Sequence, residues 1–202
     1  GFVRVPRNDL DAVKRAIGPN TCAVMLEPIQ GESGVLPFTD EFLRDLRDLT
    51  RELGVLLILD EIQTGVGRTG TMFAFESAGC RPDIMTLGKG LGGGVPLAAL
   101  LAREEVSIFE AGDQGGTFNG NPLMTAVGDA VVAEVSKQAF LAGVREAGDY
   151  LAQQLRALSA ELGLGEVRGK GLLVALELGE PIGKKVVEAA LERRLLINSP
   201  RP

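Results

Sequence analysis

An α/β fold with a mostly parallel sheet covered by helices follows from three observations on this 202-residue chain. Short runs rich in Val, Ile and Leu recur along its first hundred residues. Amphipathic stretches with helix-capping residues separate them. The runs are continuous rather than alternating, which is how strands read when helices cover both faces of a parallel sheet.

The elements follow in chain order. "DLDAVKRAI" (9–17) is amphipathic and opens on Asp, which predicts a helix. "TCAVMLEPI" (21–29) predicts a buried strand that meets a stop at Pro28. "TDEFLRDLRDLTRELG" (39–54) sets Phe42, Leu43, Leu46, Leu49 and Leu53 on one helical face, with Thr39 as cap, acids in the first turn and Gly54 at the end. "VLLILD" (55–60) is a second buried strand, "TMFAFESAG" (71–79) a short helix, "DIMTLG" (83–88) a third strand and "VPLAALLA" (95–102) a fourth. Two long helices follow in 122–135 and 140–162. "VRGKGLLVALELG", "IGKKVVEAALERR" and "LLIN" then predict strand, helix, strand.

Composition excludes several kinds of function. A net charge of −6 with scattered charges argues against nucleic acid or an anionic membrane as partner. No apolar run reaches the roughly 20 residues that cross a bilayer. Cys22 and Cys80 stand apart without metal-ligand spacing and read as reduced, mostly structural thiols of a cytoplasmic protein. The chain has no histidine, so Ser–His and Cys–His nucleophiles and histidine-held metals are ruled out. A proton-moving group must be Lys, Asp, Glu, Tyr or a cofactor.

Ligands of open α/β sheets bind beyond the carboxyl ends of the strands. "EPIQGESG" (27–34), "DEIQTGVG" (60–67) and "GKGLGGG" (88–94) sit at such ends, and the loop "GDQGGTFNGNP" (112–122) precedes a long helix. Lys89 between two glycines reads either as a solvated turn lysine or as an amine desolvated beside an apolar strand and suited to Schiff-base chemistry. The segment lacks the spaced Gly-Lys-Ser/Thr order of a phosphate loop. Asp60 ends one strand and Lys89 follows the next, so both can reach one crevice. An amine for an aldehyde and a carboxylate for a ring nitrogen are the two protein groups that pyridoxal 5'-phosphate (PLP) requires. Glu61 faces away from Asp60 by strand alternation and reads as structural. Glu27 is read as holding its turn and Arg68 as bracing the glycine loop.

"EPIQGESG", "LDEIQTGVGRTG", "PDIMTLGKGLGGGVP" and "GGTFNGNP", in that order, closely resemble the class III (ornithine-type) aminotransferases of PLP-dependent fold type I. Among these the chain is most similar to the bacterial acetylornithine aminotransferases, a group that includes enzymes handling succinyldiaminopimelate in arginine and lysine biosynthesis. The resemblance runs over essentially the whole chain. It implies Lys89 as the Schiff-base lysine and proton shuttle, and Asp60 as partner of the pyridinium nitrogen. It implies Gln63 at the cofactor's phenolic oxygen, Ile62 against one ring face and Glu32 on the substrate side. Thr117 then binds the phosphate of the neighbouring subunit's cofactor, so a homodimer with shared active sites is implied, with an amine donor and 2-oxoglutarate as substrates. Class III members acting on ornithine, 4-aminobutyrate or succinylornithine remain open, as does a catalytically inactive fragment.

The same resemblance assigns residues 1–128 to the second part of a large PLP-binding domain, 129–160 to connecting long helices and 161–202 to an incomplete small C-terminal α/β domain. The chain opens on "GFVRVPRNDL" without Met and stops at "LLINSPRP", as a segment of a longer protein would. Relatives carry an upstream half with the phosphate-holding loop, a ring-stacking aromatic and a substrate arginine. A second substrate arginine follows the point where this chain stops, and Arg201 precedes that position.

Overall fold

The computed structural model describes residues 1–200, so Arg201 lies outside the described residues. Its centre is a four-stranded sheet in the order β1-β4-β5-β6. β1 (Ala23–Leu26), β4 (Leu56–Asp60) and β5 (Ile84–Leu87) run parallel, and β6 (Ala99–Ala102) closes the edge antiparallel to β5. The register pairs Leu59 with Met85 and Asp60 with Thr86. β4 and β5 therefore end side by side.

Helices cover one face of this sheet. In α1 (Leu10–Ala16), Asp9 Oδ1 accepts from the Ala12 N–H at 2.8 Å, an N-cap that satisfies one of the helix's free donors. In α2 (Asp40–Glu52), Thr39 Oγ1 accepts from the Phe42 N–H at 3.1 Å, and Asp40 and Glu41 complement the positive end of the helix dipole. Phe42, Leu43, Leu46 and Leu49 pack with Leu57 and Leu59 of β4, Val13 of α1, and Ala78 and Cys80 around the four-residue α3 (Phe75–Ala78). Each fully buried Leu contributes about 2 kcal/mol of transfer free energy. Leu53 is 42% exposed, because it caps the helix C-terminus instead of continuing its apolar face. Burial pushes the Cys80 thiol up to about 11, whereas Cys22 is exposed and structural in no comparable sense. The alternate residues of β4, Leu56, Ile58 and Asp60, are half-buried on the opposite face.

The rest of the chain wraps round the carboxyl end of the sheet. A small antiparallel pair, β2 (Ile29–Gln30) and β3 (Leu36–Pro37), encloses the turn 31–35. α4 (Pro122–Val135) packs Val132 on the cluster of Met85, Leu87 and Leu91. α5 (Gln138–Leu162) donates from Arg145 to the Gly70 carbonyl at 2.5 Å, tying it to the glycine loop after β4. α6 (Gly183–Glu192) ends the regular structure. Among the described residues no helix is long and apolar enough to cross a membrane.

Three sequence expectations are corrected. "TCAVMLEPI" is an edge strand rather than a buried one, so Met25 is 54% exposed. "VRGKGLLVALELG" is two strands, β7 (Val167–Lys170) and β8 (Leu173–Leu176), paired as a hairpin. Gly171, at φ 55°, takes the first place of its two-residue turn, and a Cβ there would come within 2.6 Å of the Thr69 carbonyl carbon. Apolar character alone does not reveal that turn. "LLIN" pairs with no strand among the described residues, and Leu196 is 85% exposed.

Candidate active site

The loops that follow β1, β4 and β5 meet at the carboxyl end of the sheet. Asp60 is the last residue of β4, and its Oδ1 accepts from the Ile62 N–H at 3.0 Å, an Asx turn that holds the carboxylate at the strand end. Its register partner Thr86 shares its face of the sheet, and Thr86 Oγ1 is buried without a hydrogen-bond partner among the described residues. The Glu61 N–H donates to the Thr86 carbonyl at 3.0 Å and keeps the two strand ends together.

Glu61 points the other way and is 1% exposed. Its carboxylate accepts from Thr64 Oγ1 at 2.5 Å and from the Ala74 and Phe75 N–H groups, both at 3.0 Å. It thus binds the N-terminus of α3 and folds the glycine loop back. Burial pushes its carboxyl above the usual value, against the opposing pull of these three donors. The two adjacent acids therefore have separate work, in line with strand alternation.

Lys89 follows Gly88, where a Cβ would stand 3.5 Å from the Ile62 side chain, in ordinary contact. Lys89 opens a 3-10 turn and adopts φ 42°, a left-handed conformation that costs a non-glycine residue roughly 1–3 kcal/mol. Its ammonium has no ion-pair or hydrogen-bond partner among the described residues. The side chain is exposed, so the expectation of a desolvated lysine does not hold in this chain. The turn carries Lys89 out past the apolar end of β5 instead of along it.

Gln63 and Glu32 meet from two loops. Gln63 Nε2 donates to Glu32 Oε1 at 3.1 Å. The approach depends on Gly31, since a Cβ there would lie 1.9 Å from Gln63 Oε1. The Gly31 N–H donates to Glu27 Oε2 at 3.1 Å, so Glu27 does hold the turn. Arg68 donates from Nη1 to the Leu172 carbonyl at 3.4 Å, bracing the glycine loop against the β7–β8 hairpin.

Thr117 stands apart from this group. It lies in the exposed loop 110–120, inside the turn closed by the Asn119 N–H on the Gly116 carbonyl, and makes no hydrogen bond to Asp60, Gln63 or Lys89. The loop ends where Asn121 Oδ1 accepts from the Leu123 and Met124 N–H groups and caps α4. Sequence reasoning missed Thr86, although a polar residue near the end of an apolar strand beside Asp60 was a usable signal. It also passed over Arg168, which reaches the Gly34 carbonyl from β7.

The donor set fits a PLP-type group. An unpartnered amine, a carboxylate at a strand end, an orphaned hydroxyl beside it and a glycine-lined approach are what such a ring and aldehyde need.

Residues 4–200 match the model of the family described as Aminotransferase class-III. An acetylornithine aminotransferase of Ralstonia nicotianae is 57% identical over 205 residues, covering all of this chain and 51% of that protein. The N-acetylornithine aminotransferase structure from Stenotrophomonas maltophilia matches with a TM-score of 0.87 at 35% identity, over 97% of this chain and 53% of that one. An ornithine aminotransferase from Toxoplasma gondii, whose structure shows partial occupancy of PLP at the active site, matches with a TM-score of 0.88 at 37% identity, over 98% of this chain and 48% of that one. The chain spans about half the length of the curated relatives it matches. With a family match over nearly its whole length, the chain belongs to the class III aminotransferases.

Proposed function

We propose that this chain forms part of a PLP-dependent aminotransferase moving an amino group from N2-acetylornithine, or a similar ω-amino donor such as succinyldiaminopimelate, to 2-oxoglutarate. The arrangement of Asp60 and Lys89 at neighbouring strand ends carries the reading, and the acetylornithine aminotransferases at 45–57% identity support the choice of donor. PLP, when bound, supplies the electron sink that stabilises a carbanion next to the transferred nitrogen.

The chain's own residues do the rest. Asp60 holds a proton on the ring nitrogen. Lys89 would offer its amine to the aldehyde and serve as the group that accepts and returns the substrate proton, so the chain needs no histidine. Ile62 would exclude water from one ring face, and Gln63 would donate to the phenolic oxygen. Glu32, through its bond to Gln63, sets the substrate side. Thr117 belongs to the neighbouring subunit's phosphate in a homodimer. An interface over its loop accounts for Ile108 and Phe118, each 82% exposed. On the same reading, 1–128 is the second part of the large domain, 129–160 connects, and 161–202 belongs to the small domain.

The match to an ornithine aminotransferase keeps ornithine as the competing donor. Steady-state comparison of N2-acetylornithine, succinyldiaminopimelate, ornithine, succinylornithine and 4-aminobutyrate on a polypeptide of the relatives' length containing this chain decides between them. The expected result is the highest kcat/KM for N2-acetylornithine. Preference for ornithine overturns the donor, and no transfer from any donor overturns the activity. Residues 1–202 alone are expected to bind PLP weakly or not at all, and full turnover by them would refute that.

A further inference from the structure

The turn that presents Glu32 is strained and held from both sides. The N–H groups of Gly34 and Val35 both donate to the Gly31 carbonyl at 3.0 Å. Val35 adopts φ 51°, an outlying conformation for a β-branched residue, and is 8% exposed. A conformation of this kind persists only where its surroundings over-determine it. On one side, Gln63 binds Glu32.

On the other side stands Arg168 of β7. Its Nε and Nη2 both donate to the Gly34 carbonyl, at 3.4 and 3.2 Å. Nη1 donates to Glu177 Oε2 at 2.6 Å and lies 3.5 Å from Glu166 Oε2. The guanidinium is thus clamped by acids of its own hairpin region and is 19% exposed. A planar fork with fixed donors suits this task, and a lysine offers no such geometry. The hairpin is docked a second time, since the Leu172 N–H donates to the Arg68 carbonyl at 2.9 Å. One hairpin therefore touches both loops that carry Gln63 and Glu32.

We propose that Arg168 is a positioning residue: by holding the Gly34 carbonyl it fixes the strained turn and so sets the Glu32 carboxylate on the substrate side. The β7–β8 hairpin thereby controls how tightly substrate is held without touching the reacting atoms. The significance for substrate rests on the aminotransferase reading, whereas the restraint on the turn does not.

The test uses a polypeptide of the relatives' length containing this chain, with Arg168→Ala, Arg168→Lys and Glu32→Gln. Hydrogen exchange at Gly34 and Val35 is expected to accelerate about tenfold or more in Arg168→Ala, while amides of β4 and β5 keep their protection as a control on folding. Arg168→Lys, which keeps the charge and places its donors on a single nitrogen, restores part of the protection and serves where the Ala variant fails to fold. With substrate, KM rises about fivefold or more in Arg168→Ala, kcat changes less than about threefold, and borohydride-trapped PLP is unchanged. Adding Arg168→Ala to Glu32→Gln raises KM no further, because both act through one carboxylate. Unchanged exchange at 34–35 in either Arg168 variant overturns the proposal, as does full additivity of the two KM effects. A protein that transfers no amino group but shows the exchange change overturns the aminotransferase reading and leaves the restraint standing.

Discussion

Asp60 and Thr86 are register partners at the ends of two parallel strands, and their polar groups are satisfied unequally. Asp60 holds the Ile62 N–H, whereas Thr86 Oγ1 is buried without a partner among the described residues. A lone buried hydroxyl costs about 1–3 kcal/mol of desolvation with nothing returned. Thr86→Val keeps the shape and removes that cost. The expected outcome is unchanged stability or a gain of up to about 1 kcal/mol without PLP, together with weaker PLP retention. Urea denaturation with and without added PLP checks both; a loss above about 1 kcal/mol in the ligand-free protein would mean the hydroxyl has a partner.

Lys89 joins chemistry to backbone strain. In a polypeptide of the relatives' length, Lys89→Ala is expected to abolish borohydride-trapped PLP and its visible band, and to lower turnover at least 10²–10⁴-fold, roughly the range lost with a general base. Retained trapping would move the site elsewhere. Because φ is 42°, Lys89→Gly should be about 1 kcal/mol more stable than Lys89→Ala in the ligand-free protein. Denaturation of the two variants side by side reads that difference.

Much of this site is legible in the amino-acid sequence. Asp60 and Lys89 stand out because each polar group follows an apolar strand and the two strands are neighbours, although a solvated turn lysine gives the same local pattern, and the caps at Asp9 and Thr39 fix two helices. Which glycine turns β7 into β8 is not legible, since "VRGKGL" offers both Gly169 and Gly171 and only the strand pairing shows that the chain reverses at Gly171. Nor is the exposure of Met25, because edge position is a property of strand order, which no local pattern encodes. The Gly34 carbonyl held by Arg168 joins residues 134 positions apart, and only tertiary folding creates that pair.

Gly31 separates site geometry from stability. A methyl at 31 meets only the far end of the flexible Gln63 side chain. Gly31→Ala should therefore cost under about 1 kcal/mol in folding while turning Gln63 away from Glu32. Kinetics of the variant are expected to show a raised KM with a near-native melting temperature. A large loss of stability would place the strain in the backbone instead.

Asp83 and Glu61 are both buried, and they link stability to pH with opposite signs. Burial pushes the Asp83 carboxyl up, but the Leu57 N–H at 2.8 Å, Arg47 at 2.7 Å and Arg103 at 3.1 Å outweigh it and hold it below 3.8. The folded state thus binds fewer protons than the unfolded one. The stability this gives is fully present above the unfolded value of 3.8 and is lost as pH falls through the lowered folded value. Asp83→Asn strands the buried Arg47 and is expected to cost about 3–5 kcal/mol at neutral pH. Its deficit against the native protein should shrink in acid. Glu61, raised above 4.5, gives stability that is fully present below 4.5 and lost as pH rises through its folded value. The deficit of Glu61→Gln should therefore shrink as pH rises from 4.5. Urea midpoints of both variants between pH 3 and 8 test this crossing; parallel curves would show that neither carboxyl is shifted.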